Sequence, residues 1–217
     1  MASQIIYGRR PVAEAERGRR RVHRVWRAPE TPAEELERLC GSPDHQGVVA
    51  EVDPYPYADP RALRRGEAPL VVALDQVQDP RNLGAVCRSA ELAGAAGVVV
   101  PERRAATITA VACKASAGAV EHLPVAHVRN LADWLAEAKS AGFWIWGADA
   151  EAESAPWEAD LSGPTILVLG GEGKGLRPRV ASACDGLLAL PRRGRIESLN
   201  VSAAATALLF EALRQRS

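Results

Sequence analysis

The stretch Leu70-Val71-Val72-Ala73-Leu74-Asp75-Gln76-Val77-Gln78-Asp79-Pro80-Arg81-Asn82-Leu83-Gly84-Ala85-Val86-Cys87-Arg88 decides the fold class. Its first five residues are an unbroken apolar run, the pattern of a strand buried on both faces. Asp79 and Pro80 then supply an N-cap and a proline at the first helical position, predicting a helix that runs to about Ala93. The alternation continues downstream. Strands are predicted at 97–100, 123–128, 143–147, 165–169 and 186–190, and helices at 105–117, 131–141, 178–183 and about 200–214. Strands alternating with helices predict an α/β domain, a parallel sheet with helices on both faces. Trp134, Trp144, Trp146 and Trp157 read as core and edge packing in that domain.

Upstream, residues 53–60 read DPYPYADP, and three prolines in seven residues deny backbone donors and hold the chain extended. A boundary is therefore expected between about residues 53 and 68. Ahead of it a helix at 10–20, a strand at 22–26, a helix at 33–39 and a strand at 47–52 make a small α/β module. The expected division is a small domain over 1–55, a linker over 56–68 and a larger domain over 69–217.

Composition narrows the class. In 217 residues, 47% hydrophobic and 25% charged content is ordinary for a globular chain and excludes a wholly disordered or fibrous one. No apolar run approaches the roughly 20 residues of a membrane helix, and the opening MASQIIYGRR lacks the apolar region of a secretory signal. Cys40, Cys87, Cys113 and Cys184 form no CxxC pair and no zinc clamp, so four reduced thiols and a cytoplasmic location are expected. The net charge of zero hides an asymmetry. Residues 1–27 hold eight arginines against Glu14 and Glu16, a balance of +6, and the remainder carries −6. That run, with Arg9, Arg10, Arg19, Arg20 and Arg21, suggests a polyanion contact, although a solvated helix face has the same look.

Three features carry the chemistry. The loop Gly170-Gly171-Glu172-Gly173-Lys174-Gly175-Leu176 is not a P-loop, because Gly175 follows Lys174 where a serine or threonine should hold magnesium. Nor does it open a long helix as a dinucleotide fingerprint does. What remains is a turn whose backbone can approach a ligand closely, with Glu172 at its tip. Ser198 lies in Glu197-Ser198-Leu199-Asn200-Val201-Ser202, without the GxSxG elbow or nearby histidine a hydrolase needs; Ser198 or Asn200 would serve as the N-cap of the last helix. On the helix after Pro80, Asn82 and Arg88 point about 120° apart, a turn and a half along.

Together these features resemble the SpoU/TrmH family of ribose 2′-O-methyltransferases, part of the knotted SPOUT superfamily. Asn82-Leu83-Gly84 through Arg88 matches the first motif, residues 167–176 the second, and Leu190-Pro191 through Ser198-Leu199-Asn200-Val201-Ser202 the third, in order and spacing over residues 69–217. Ile6-Tyr7-Gly8 and His45-Gln46-Gly47-Val48-Val49-Ala50 are similar to the start and end of the small RNA-binding domain of the RlmB-type 23S rRNA branch, which is related to ribosomal protein L30e. Between Trp26 and Leu36 there is no room for one helix-and-strand step of that domain, so a reduced version is expected. The resemblance implies a C-terminal trefoil knot that binds S-adenosyl-L-methionine. Gly170, Leu190 and Leu199 would hold that cofactor, and Asn82, Arg88, Glu172, Ser198 and Asn200 would line the reaction site, with no metal.

The implied reaction is methylation of a ribose 2′-hydroxyl in structured RNA, most closely a guanosine of 23S rRNA. Two alternatives stay open: tRNA ribose methylation by the same chemistry, and a catalytically silent RNA-binding or ribosome-assembly protein. A guanidinium is a poor base at neutral pH, so Arg88 is expected to grip the target phosphate and stabilise the developing alkoxide. Where the family commonly has methionine this chain has Arg192, which with Arg193 and Arg195 makes a basic loop suited to RNA phosphates. The last helix carries Leu208, Leu209, Phe210 and Leu213 among alanines, and with the resemblance this implies a homodimer through the catalytic domain.

Overall fold

A computed structural model describes residues 3–171, 173 and 175–217. It begins with a strand outside the predicted set, β1 (Gln4–Tyr7). Four residues show no periodicity of their own, and β1 exists because it pairs with a partner more than forty residues away. Then come α1 (Arg9–Arg17), β2 (Val22–Arg27), α2 (Ala33–Cys40) and β3 (Val48–Val52). Strand β3 lies between β1 and β2 in an antiparallel sheet. Helix α1 stops three residues short of its predicted end, at Gly18, where Arg19 and Arg20 turn inward.

The second sheet is parallel throughout, as expected. It contains β4 (Leu70–Asp75), β5 (Gly97–Pro101), β6 (Val125–Val128), β7 (Trp144–Ala148), β8 (Thr165–Gly170) and β9 (Gly186–Leu188) in the order β6-β5-β4-β8-β7-β9. Strand β4 is buried at all six positions, which its apolar run requires. Its alternate side chains serve two layers. Leu70, Val72 and Leu74 pack with Leu83, Val86 and Cys87 of α3 (Pro80–Leu92), Ala112 and Cys113 of α4 (Ala110–Ala115), and Leu208 and Leu209 of α7 (Val201–Arg216). Val71 and Ala73 pack with Leu131, Trp134 and Leu135 of α5 (Leu131–Ser140) and Val180 of α6 (Pro178–Ala181). Helices therefore cover both faces. Helix α4 is shorter than predicted because Thr109 caps its start and Ala117, at φ 52°, breaks away after it. Trp134 is core, whereas Trp144 and Trp157 are exposed.

The small domain and the larger one expected from the sequence share a core. The cluster on the α3 side also contains Ile6, Val12, Ala15, Val48, Ala50 and Val52, so apolar burial runs continuously from the small sheet into the large one. The 56–68 segment is packed as well. The Tyr57 ring stacks on His127 at 3.8 Å between centroids, Ala58 bridges Ala126, and Leu63 is buried. Prolines hold this segment extended, and that shape is what lets it lie along β6.

Arg20 requires a correction. Expected to face RNA, its side chain is 1% exposed and paired with Glu121, also 1% exposed. Its Nε donates to Glu121 Oε2 at 2.9 Å and its Nη1 to Gln4 Oε1 at 2.7 Å. Arg19 is exposed, but its guanidinium donates to the Glu121 and Leu123 carbonyls, at 3.2 and 3.1 Å. Two arginines of the basic run thus fasten the small sheet to the large unit. Arg9, Arg10 and Arg21 are exposed. The four cysteines are free thiols, and burial pushes the Cys113 thiol up to about 11. Among the described residues no helix is long and apolar enough to cross a membrane, and no three His, Cys, Asp or Glu side chains gather as a metal site would require.

Candidate active site

The site is built where parallel strands end, the usual place for a ligand in an open α/β sheet. Strand β4 ends at Asp75, beside Gly170 at the end of β8. Asp75 is fully buried and accepts from the Arg177 backbone N–H at 2.9 Å, from its Nε at 2.8 Å and from its Nη2 at 2.7 Å. The segment after the glycine loop is thereby tied to the strand next to the one before it. A Cβ at Gly170 would collide with the Gly175 backbone and lie 2.6 Å from the Leu176 nitrogen, so only glycine lets the loop fold back over the strand end. Glu172, the carboxylate expected at the tip, lies outside the described residues.

Beyond Asp75 the chain turns through Gln76 at φ 62° to Asp79, whose carboxylate accepts from the Arg81 N–H at 2.8 Å as the expected N-cap of α3. Asn200 caps α7: its Oδ1 accepts from the Ser202 N–H at 2.9 Å and from the Ser202 hydroxyl at 2.6 Å. Its amide then donates to Asn82 Oδ1 at 3.0 Å. Two residues 118 positions apart thus meet, and the first turns of α3 and α7 are held side by side. Ser89 and Thr206 repeat the link further along, at 2.6 Å. Arg88 is exposed on α3, and no carboxylate among the described residues lies within ion-pair distance of it.

A cavity of about 560 Å³ opens at the ends of β7, β8 and β9. Leu169, Leu188, Val201 and Leu208 give it apolar walls, and Gly170, Gly171, Leu190, Ser198 and Leu199 complete them. The three expected cofactor residues and Ser198 therefore share one cavity, with Asn200 seated between two of its lining residues. Asn82 and Arg88 do not line it. Residues 148–151, at the end of β7, form a further wall that the motifs did not indicate. Only their position at a strand's carboxyl end could have pointed to them. Arg192, expected on RNA, is held at the rim by Glu151 at 2.5 Å and by the Glu197 carbonyl; Arg193 is exposed there.

Comparison with known proteins decides the family. Residues 69–210 match the model of the SpoU rRNA Methylase family, and residues 28–58 match that of RNA 2′-O ribose methyltransferase substrate binding. The chain belongs to the SpoU methylase family. This SpoU chain is 37% identical to YacO of Bacillus subtilis, assigned by name to the TrmH family of tRNA/rRNA methyltransferases, over 98% of this chain and 96% of that one. It is 46% identical to the 23S rRNA (guanosine-2′-O-)-methyltransferase RlmB of Pseudomonas syringae over 80% of this chain and 71% of that one. Against longer relatives from Synechocystis and Mycolicibacterium smegmatis it spans 63% and 61% of their length. Among solved structures, the SpoU methyltransferase AviRb from Streptomyces viridochromogenes in complex with the cofactor AdoMet superposes with a TM-score of 0.82 at 28% identity, over 99% of this chain and 90% of that one.

Proposed function

We propose that this SpoU enzyme transfers the methyl group of S-adenosyl-L-methionine to the ribose 2′-hydroxyl of a guanosine in 23S rRNA. The observation that carries the reading is the Asn82–Asn200 bond, which joins the first and third motifs beside the cavity holding Gly170, Leu190 and Leu199. The cavity suits the cofactor: its volume falls in the range of small-molecule sites, its walls are mostly apolar, and glycine backbone forms one edge. When bound, the cofactor supplies a methyl group made electrophilic by its sulfonium.

The chain's own residues do the rest. The exposed Arg88 guanidinium holds the phosphate next to the target ribose and stabilises the oxyanion as the hydroxyl proton leaves to water. Asn82 and Asn200 fix the helix ends that flank it, Ser198 positions the cofactor, and Glu172 is retained as a positioning carboxylate. Exposed Arg9, Arg10, Arg21 and Arg193 are assigned to RNA phosphates. Residues 1–55 are read as the substrate-binding module, 56–68 as its connector and 69–217 as a methyltransferase unit whose β8-to-α7 segment forms a trefoil knot. The enzyme is read as a cytoplasmic homodimer. Phe210 on α7 and Leu92 on α3 are 45% and 62% exposed on the two helices joined by Asn82 and Asn200. A particle near 46 kDa in light scattering is expected, and a fully active 23 kDa particle would overturn the dimer.

Incubation with methyl-labelled cofactor and separate 23S and tRNA transcripts tests the function. Label is expected in a 23S guanosine ribose. Label confined to tRNA gives the tRNA reading, and cofactor binding by calorimetry without transfer to any RNA gives the silent RNA-binding reading.

A further inference from the structure

A second basin opens on the same edge of the large sheet, at the ends of β5 and β6. It measures about 370 Å³, and Arg103, Arg104, Arg129, Arg177 and Arg179 line it together with Asn130. Neither Asp nor Glu is among its lining residues. Two of the arginines are committed: Arg177 to Asp75, and Arg179 to Asp133 at 2.6 Å. Arg103, Arg104 and Arg129 are exposed and have no ion-pair partner among the described residues, so three guanidiniums converge without neutralisation. The nearest carboxylate in sequence, exposed Glu102, does not line the basin. Arg104 also adopts φ 58°, a left-handed conformation uncommon for a residue with a side chain. Asn130 caps α5, whose first turn, through Ala132, adds its N-terminal dipole to the same space.

Like charges brought together in this way repel unless an anion joins them, and planar guanidiniums fit phosphate oxygens best. Three free arginines exceed what one phosphate requires. The basin also lies close to the reaction site: β5 and β8 are separated by β4 alone, so their ends stand about 10 Å apart. We infer that this basin is an RNA-backbone subsite, taking consecutive phosphates of the strand that carries the target ribose, at a place distinct from the N-terminal arginines. The inference rests on the reading of this chain as an RNA ribose methyltransferase.

The test uses the full chain as wild type, as the triple variant Arg103→Ala, Arg104→Ala, Arg129→Ala, and as the matching triple lysine variant. Binding to the methylated transcript is measured across a salt series. Loss of three phosphate contacts is expected to lower the slope of log K against log salt by about 2. The lysine variant should keep most of the slope, and cofactor affinity by calorimetry should stay unchanged in both, which reports an intact fold. Unchanged slope and RNA affinity in the alanine variant, with a wild type that methylates RNA, overturns this inference alone. If millimolar inorganic phosphate binds wild type but not the alanine variant, while RNA binding is the same in both, the basin is a small-anion site and the inference is likewise overturned. A wild type that binds cofactor but methylates no RNA overturns the underlying reading instead.

Discussion

At Arg88 a permanent positive charge stands exposed on α3 without an ion-pair partner among the described residues, an arrangement that is of little use to stability and suited to a ligand. Arg88→Ala is expected to lower methyl transfer by about 10²–10³-fold while cofactor affinity by calorimetry stays within a few-fold. Retention of more than about a tenth of the rate, a barrier change under roughly 1.4 kcal/mol, would remove Arg88 from the chemistry. Gly84, two residues after Asn82 in the same motif, has a different task. A Cβ there would collide with the Ala112 carbonyl oxygen and lie 2.8 Å from Ala115 Cβ, so the glycine lets α3 and α4 touch. Gly84→Ala gains about 1 kcal/mol of helix propensity and loses roughly 1–3 kcal/mol to overpacking. A net loss of up to about 2 kcal/mol in urea unfolding is expected, and a stabilised variant would contradict the close approach.

Between elements, the ties are polar and few. The Arg20–Glu121 pair joins the turn after α1 to the segment before β6 in a fully buried setting. Removing either partner leaves a buried charge unpaired, so Arg20→Met and Glu121→Leu should each cost about 3–5 kcal/mol alone, whereas the two together should cost far less than their sum. Additive losses in that cycle would show that the two side chains do not interact. His127 carries the second tie. It stacks on Tyr57, its Nε2 is buried without a partner among the described residues, and burial lowers its pKa below the usual 6.5. The unfolded chain therefore takes up this proton first as pH falls. Stability from the 56–68 segment should be full above about pH 6.5 and decline below it, through the depressed folded value. Chemical denaturation between pH 7.5 and 5 checks this, and His127→Phe should flatten the decline.

For the whole molecule, the decisive fact is that apolar burial does not stop at the prolines. Deleting residues 1–60 would strip Ile6, Val12, Ala15, Val48, Ala50, Val52 and Tyr55 from the shared cluster and leave Glu121 buried without Arg20. The truncated chain is expected to aggregate or to lose its cooperative thermal transition. A monodisperse fragment that melts at the full-length Tm would show that the large sheet is independent of the small one. The same continuity bears on RNA: a small sheet clamped in place presents Arg9, Arg10 and Arg21 at a fixed offset from the cavity.

What the amino-acid order determined by itself was local. The buried run at 70–74, the Asp79-Pro80 helix start and the repeated alternation after them specify parallel strands and covering helices, because burial and capping are decided within a few residues. The three motifs pointed to Gly170, Leu190, Ser198 and Leu199, and the tertiary structure places all four around one cavity. Only that structure decided the rest. Nothing in the run from Arg17 to Arg27 distinguishes Arg20 from its exposed neighbours; its burial depends on Glu121, a hundred positions away. Strand β1, the Asn82–Asn200 bond, the Asp75–Arg177 anchor and the five-arginine basin have the same origin. Each is a pairing of distant residues, and a pairing leaves no periodicity in either partner's own segment.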